Sequence, residues 1–366
     1  MPRSRSDDLI RRRLRNQQLS RSGLSTPADV VSWFGAVQAQ DYHGAKWAVG
    51  QRTMDGREST IEQAVTDGAI LRTHILRPTW HFVAAEDIKW MLSVSAPRVQ
   101  ARNAPVYRLS ELDRATLSRS RRTIERALRN GECLTRAELA AILERARIPT
   151  NKGQRGQPST RLAYLMMDAE LEGLICNGPR RGSQFTYTLL DRRAPRAKSW
   201  STDEALGELT RRYFTSHGPA TLRDFVWWSG LTVAQARRGI QVAGRALQAE
   251  TCDSLQYWSA PTRSPRAARL PPAHLLPVYD EFLIAYRDRG LTIDREVANR
   301  GGVFSNYLIV DGRLRGTWTR TLTKTTAAIR IAPYETLSKS ALRSAADAAR
   351  RYAVFHGMTV SFAVRR

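Results

Sequence analysis

The spacing of apolar residues changes several times along the chain, and each change predicts an element. Over 7–19, Leu9, Ile10 and Leu14 mark one side of a basic helix. A second helix is expected over 26–34, opened by Ser25-Thr26-Pro27 and closed by Gly35. A short third spans 60–66, with Ser59-Thr60 as its cap and Glu62 in its first turn. Asp67-Gly68 then makes a turn, and two strand-like runs follow at 69–76 and 79–83, with Arg77-Pro78 at the bend. Three helices followed by a β-hairpin describe a winged helix.

The same order recurs. Leu134-Thr135-Arg136-Ala137-Glu138-Leu139 opens a helix through Leu143, and 160–174 is amphipathic, with Leu162, Leu165, Met166 and Ala169 at helical spacing. Ile175-Cys176-Asn177 and Phe185-Thr186-Tyr187-Thr188-Leu189 then flank a tip that carries Arg180 and Arg181. A third round starts with a helix over 204–214. His217-Gly218-Pro219-Ala220-Thr221 caps the next helix, through Asp224-Phe225-Val226-Trp227-Trp228, and Gly230 ends it. Trp227 and Trp228 sit mid-helix beside apolar neighbours and read as core. A further helix over 232–248 is expected to kink or break at Gly239. Residues 259–272 are rich in Pro, Arg, Ser and Ala and read as a linker or basic loop. Strands are expected at 303–310, 314–320 and 326–331, with Asp311-Gly312 as a hairpin turn, then a helix over 337–355 and a strand over 359–364.

The expected fold is therefore α+β: tandem winged helices followed by a C-terminal β-rich sheet or small barrel. Its divisions fall at 1–120, 121–200, 201–270 (including the linker) and 271–366. A chain of 366 residues suits two or more compact units, and 42% apolar residues suffice to fill their cores. No apolar run approaches the length of a membrane span and the first fifteen residues are charged, so a soluble, cytoplasmic protein is expected.

Charge changes the picture most. There are 58 basic against 34 acidic residues, a net charge of +24. A GC-rich coding sequence would explain why Arg outnumbers Lys. It would not explain the excess over acids, which is the footprint of a polyanion binder. An anionic membrane fits less well, because no basic amphipathic helix has an aromatic face. The three cysteines, Cys133, Cys176 and Cys252, are far apart and the six histidines are scattered. Neither set has metal-ligand or disulfide-framework spacing, so no metal and no cofactor is expected. In the second hairpin, Arg180 and Arg181 either clamp DNA phosphates or enter a minor groove, or they are a solvated turn; the basic balance favours DNA.

Candidate chemistry lies in Val37-Gln38-Ala39-Gln40-Asp41-Tyr42. Two glutamines two apart point the same way in an extended segment, whereas on a helix they would splay by roughly 200°. Two carboxamides offer neutral dipoles that can hold a water and face a developing cation, but not a strong base. From pattern alone, surface amides or caps are the commoner use of such a pair.

Several runs together resemble the bacterial winged-helix DNA glycosylases of the AlkZ/YcaQ type. They are Gln38-Ala39-Gln40-Asp41, Leu71-Arg72-Thr73-His74-Ile75-Leu76-Arg77-Pro78-Thr79-Trp80-His81, His217-Gly218-Pro219-Ala220-Thr221 with Asp224-Phe225, Leu276-Pro277-Val278-Tyr279-Asp280-Glu281, and Asp311-Gly312 before Gly316-Thr317-Trp318. They keep the family's order over nearly the whole chain. The resemblance implies tandem winged helices and a C-terminal β domain curved around a channel for duplex DNA; a monomer is expected. It also implies removal of alkylated purines, in some members with unhooking of interstrand crosslinks, for repair or self-resistance. Its catalytic element is a Gln-x-Gln motif, which Gln38 and Gln40 match without departure.

The chemistry suits such a motif. An N7- or N3-alkylated purine already carries a positive charge, so its departure needs no general acid. What remains is to steady an oxocarbenium-like sugar and place a water, which two carbonyl dipoles can do. Asp41 either adds charge nearby or caps local backbone. Uncharged lesions such as uracil or 1,N6-ethenoadenine would be poor substrates. The main rival is a non-enzymatic winged-helix DNA binder or transcriptional regulator, and a structural nucleoid protein is a third option. A regulator should carry a recognition helix rich in base-reading side chains, and 160–174 has one Arg among many apolar residues. An AP-lyase step is disfavoured because the only lysine near the glutamine pair is Lys46.

Overall fold

The computed structural model describes residues 5–20, 23–151, 160–261, 272–298 and 305–365. The chain forms two compact units. One comprises Met1–Gln63, Leu206–Trp228 and Thr232–Arg366, and the other Ala64–Ala205 and Ser229–Leu231.

The first unit begins with α1 (Arg5–Asn16), α2 (Pro27–Phe34), the short strand β1 (Ala36–Gln38) and α3 (Tyr42–Gly50). Its α2 starts where the sequence signals it. The Thr26 hydroxyl accepts from the Asp29 amide while the Asp29 carboxylate accepts from the Thr26 amide, and Gly35 closes the helix at φ 82°. Helix α4 (Glu58–Asp67) passes from this unit into the second.

The second unit opens with the hairpin β2 (Ile70–His74) and β3 (Trp80–Ala84), paired from Ile70 with Ala84 to His74 with Trp80. Next come α5 (Ile88–Leu109), α6 (Arg114–Leu128), β4 (Leu134–Thr135), α7 (Arg136–Arg145), α8 (Arg161–Leu171), β5 (Ile175–Asn177), β6 (Thr186–Leu189) and α9 (Leu190–Arg193). Strands β4, β6 and β5 form an antiparallel sheet in that order. Ile124 and Leu128 of α6, Leu139 and Leu143 of α7, and Leu165 and Met166 of α8 meet Ile175 in one apolar core. Thr135 and Glu138 form the capping box that starts α7.

The chain re-enters the first unit along α10 (Thr202–Ser216), α11 (Leu222–Ser229) and α12 (Val233–Ala243), then the hairpin β7 (Gln248–Cys252) and β8 (Leu255–Ser259). The rest is β9 (Ala273–Leu276), short helices α13 (Glu281–Ile284) and α14 (Arg295–Ala298), β10 (Asn306–Val310), β11 (Arg313–Leu322), β12 (Thr326–Pro333), α15 (Lys339–Phe355) and β13 (Thr359–Val364). Five strands make one sheet in the order β13-β12-β11-β10-β9. The pairing is antiparallel except between β12 and β13, where α15 supplies the crossover that a parallel pair requires. Ala341, Ala345, Ala348, Ala349 and Ala353 are the buried small residues of α15, and they let the helix lie close on its sheet. Asp311 and Gly312 turn between β10 and β11 at φ 50° and 78°, as a two-residue hairpin demands.

The structure departs from the sequence reading at several points. Helix α3 was not expected; its glycines give it little helical tendency, and packing holds it instead. A Cβ on Gly50 would lie 2.2 Å from the Phe355 ring, so the helix seats there only without a side chain. Helices α5 and α6 were also not expected; α5 holds Pro97 and Pro105 within it. Gly239 does not interrupt α12. It lets the helix approach α10, where an added Cβ would meet the Thr210 hydroxyl at 2.0 Å, and the helix runs on to its Gly244 cap. Gln248 opens β7 rather than ending a helix. Most of the expected 259–272 linker lies outside the described residues. Among the described residues, no helix is long and apolar enough to cross a membrane.

Candidate active site

Gly35 turns the chain out of α2 into β1, and the glutamine motif straddles the exit from that strand. Gln38 is its last residue, Gln40 sits in the following bend, and Asp41 is the N-cap position of α3. The two glutamines stand two residues apart at the strand exit, Gln38 on extended backbone and Gln40 in the bend, and they are not equally open. Gln38 keeps only 9% of its surface in solvent, whereas Gln40 is exposed. Asp41 makes no side-chain cap hydrogen bond, so the capping role considered for it is not realised. Its carboxylate lies against Gly44, where a Cβ would come within 2.5 Å of Oδ2.

Behind the motif lies a buried acid that the sequence reading gave no role. The Gln38 amide donates to Glu281 Oε1 at 2.9 Å. Glu281 Oε2 accepts from the Trp228 indole at 2.9 Å, and His217 Nε2 lies 3.4 Å from it. Glu281 is 1% exposed, Trp228 and His217 fully buried. Asp280, beside it, holds Arg52 through two bonds of 2.9 and 2.7 Å and caps α13 at the Phe282 amide. Arg52 follows directly on the cap of α3, and also donates to the Gln17 and Ala48 carbonyls. Two neighbouring carboxylates therefore hold the motif-bearing segment at both ends. One sequence signal pointed here: an acidic pair ahead of the apolar run Phe282-Leu283-Ile284 in a strongly basic chain.

Burial sets the electrostatics of this region. It pushes the His217 imidazole below its ordinary value, with the Glu281 carboxylate pulling partly the other way, so neutral imidazole is favoured. Burial likewise pushes the Tyr213 and Tyr286 phenols up, leaving them as un-ionised hydrogen-bond partners. Lys46, in the helix that follows the motif, is engaged by Glu58 at 2.7 Å and Glu62 at 2.8 Å and is 3% exposed.

The other expected residues are placed as follows. Arg180 and Arg181 lie between β5 and β6 at the hairpin tip, as expected. Arg181 is partly spoken for, pairing with Glu138 at 2.7 Å and donating to the Cys133 carbonyl at 2.7 Å. Arg180 donates to the Ser183 carbonyl at 3.0 Å and covers the Phe185 ring at 5.2 Å. Trp228 is core, but Trp227 is not. It is 46% exposed because the helix turns it outward, and its indole is fixed to the Ile284 carbonyl at 3.0 Å. The cysteines are free thiols, and no group of His, Cys, Asp and Glu that could hold a metal occurs among the described residues.

Comparison with known proteins places this geometry. The family model described as DNA glycosylase AlkZ-like matches residues 31–355. The chain belongs to the AlkZ-like DNA glycosylase family. Among AlkZ-like proteins, an interstrand DNA cross-link repair glycosylase from Streptomyces sahachiroi is 23% identical over 319 residues, covering 84% of this chain and 85% of that protein. The solved structure of the Streptomyces sahachiroi DNA glycosylase AlkZ superposes with a TM-score of 0.79 at 21% identity, covering 99% of this chain and all of that one. The AlkZ fold, mixed in helix and sheet, is thus shared along the chain.

Proposed function

We propose that this AlkZ-like protein is a monofunctional DNA glycosylase that hydrolyses the N-glycosidic bond of cationic alkylated purines, of the N7-alkylguanine and N3-alkyladenine type, in duplex DNA. Gln38 and Gln40 carry the chemistry. The supporting observation is where the motif sits: two neutral carboxamides leave a short strand, the second open to solvent, the first held from behind by a buried carboxylate. A leaving base that is already charged needs no proton, and here the motif offers none. The carbonyl dipoles of Gln38 and Gln40 steady the positive charge that develops on the sugar and orient the attacking water towards C1′. Asp41 adds negative charge beside them.

We read the chain as three winged helices, within 1–120, 121–200 and 201–270, and a β-rich unit, 271–366, in a monomer that binds duplex DNA in the cytoplasm. Arg180 and Arg181 at the second hairpin contact its backbone. The relative from Streptomyces sahachiroi is named for cross-link repair, and we extend unhooking of interstrand crosslinks to this chain on that likeness. The rival reading, a sequence-reading regulator, is weakened by α8. Its residues Leu165 to Leu171 are all buried, which leaves little of that helix to read base edges.

Single-turnover excision from a duplex carrying one 7-methylguanine tests the assignment. Gln38→Ala and Gln40→Ala should each slow the reaction by about 10²–10³-fold, the usual loss for one preorganised dipole. Undamaged-duplex affinity should barely move. Unchanged turnover in the double variant would end the catalytic assignment.

A further inference from the structure

We infer that Glu281 is a positioning residue for the glutamine motif, acting through the peptide of Gln38; this rests on the reading that Gln38 is catalytic. Its carboxylate meets the conditions for that role. One oxygen is committed to the motif, Oε1 to the Gln38 amide at 2.9 Å. The other is fixed independently, Oε2 by the Trp228 indole at 2.9 Å, so the group cannot swing away. Trp228 in turn packs against Gly35, the residue that turns the chain into the motif; a Cβ there would sit 3.8 Å from the indole.

The neighbouring residue completes a clamp. Asp280 holds Arg52 at the far end of α3 by two bonds, so the residues from Gln38 to Arg52 are fixed at both ends from one short stretch of chain. A dipole a fraction of an ångström out of place loses most of its effect on a developing charge, which is why a supporting hydrogen bond has kinetic weight. The carboxylate also suits its place electrically. A buried anion behind the peptide of Gln38 favours positive charge in front of the motif, where the oxocarbenium forms.

The experiment uses the full chain and a duplex with one 7-methylguanine. Glu281→Ala, Glu281→Gln and Gln38→Ala are compared singly, and Glu281→Ala is combined with Gln38→Ala. Glu281→Ala should lower the single-turnover rate constant by about 10²-fold with undamaged-duplex Kd within about twofold. Glu281→Gln keeps an oxygen for the Gln38 amide and should recover to within about tenfold of wild type. On the Gln38→Ala background, Glu281→Ala should cost less than about tenfold further, because its effect passes through the missing carboxamide. If Glu281→Ala does not fold, Trp228→Phe removes the indole's bond to Oε2 and should slow excision with the same dependence on Gln38. Equal losses on both backgrounds, or a rate within about threefold of wild type beside a slow Gln38→Ala, would overturn the inference and leave the reading of Gln38 intact. A Gln38→Ala enzyme as fast as wild type would overturn both.

Discussion

Replacing Arg52 by Met strands a buried carboxylate, and the cost follows from the geometry. The Arg52 guanidinium meets both Asp280 oxygens, at 2.9 and 2.7 Å, and the side chains are 2% and 0% exposed. Met keeps most of the aliphatic volume but leaves the Asp280 carboxylate the Phe282 amide, at 2.9 Å, in place of a cation. Breaking one side of a buried ion pair costs about 3–5 kcal/mol, and the lost bonds to the Gln17 and Ala48 carbonyls fall within that range. For a unit of this size, each kcal/mol moves the melting midpoint by roughly 2–4 °C, so a drop of about 6–20 °C is expected. Scanning calorimetry at neutral pH reads it directly. Arg52→Met with Asp280→Asn should lose less than the two single variants added together, because no charge is then left unpaired. A midpoint within about 2 °C of wild type, or strict additivity, would refute the claim that this pair clamps the segment after the motif.

Three further outcomes follow from other contacts. Glu58 is held down to about 2 from 4.5, first by its hydrogen bond to His356 and then by Lys46, against the cost of burial. Its folded value lies below its unfolded one, so its stabilisation is complete above pH 4.5 and fades as the pH falls towards 2. Urea unfolding should therefore separate wild type from Glu58→Gln at about pH 6 and bring them together towards about pH 2, and a gap independent of pH would contradict this. Sodium borohydride should trap no covalent complex with abasic DNA, since Lys46 is bound to Glu58 and Glu62; a trapped adduct lost in Lys46→Arg would reverse that. Replacing Arg180 and Arg181 together by Ala should reduce the slope of log K against log salt by about 1 rather than about 2, because Arg181 is already paired with Glu138. An unchanged slope would remove this hairpin from the DNA contact.

Much of the fold could be read from the sequence where local chemistry decides it. Thr26-Pro27 and Gly35 bound α2 within a residue, and Asp311-Gly312 set the turn of a hairpin. Elements decided by distant packing could not be read. Helix α3 depends on Gly50 meeting Phe355 some three hundred residues away, and α5 runs past Pro97 and Pro105, both exposed, with most of its buried residues between Ile88 and Val99. The site divides in the same way. Gln38 and Gln40 stand out by spacing and by family likeness. Glu281 does not, because its partner is a backbone amide 243 residues earlier, and a backbone amide carries no sequence signature. Trp227 was misjudged because adjacent positions on a helix face different ways, one into the core and one outward.

The central claim is that a base carrying its own positive charge departs without a proton donor. Single-turnover release measured on matched duplexes, one with 7-methylguanine and one with 1,N6-ethenoadenine, tests it most directly. The account predicts release of the charged lesion and none of the neutral one above the uncatalysed rate. Comparable release of both would mean that an acid operates in the site, and would contradict it.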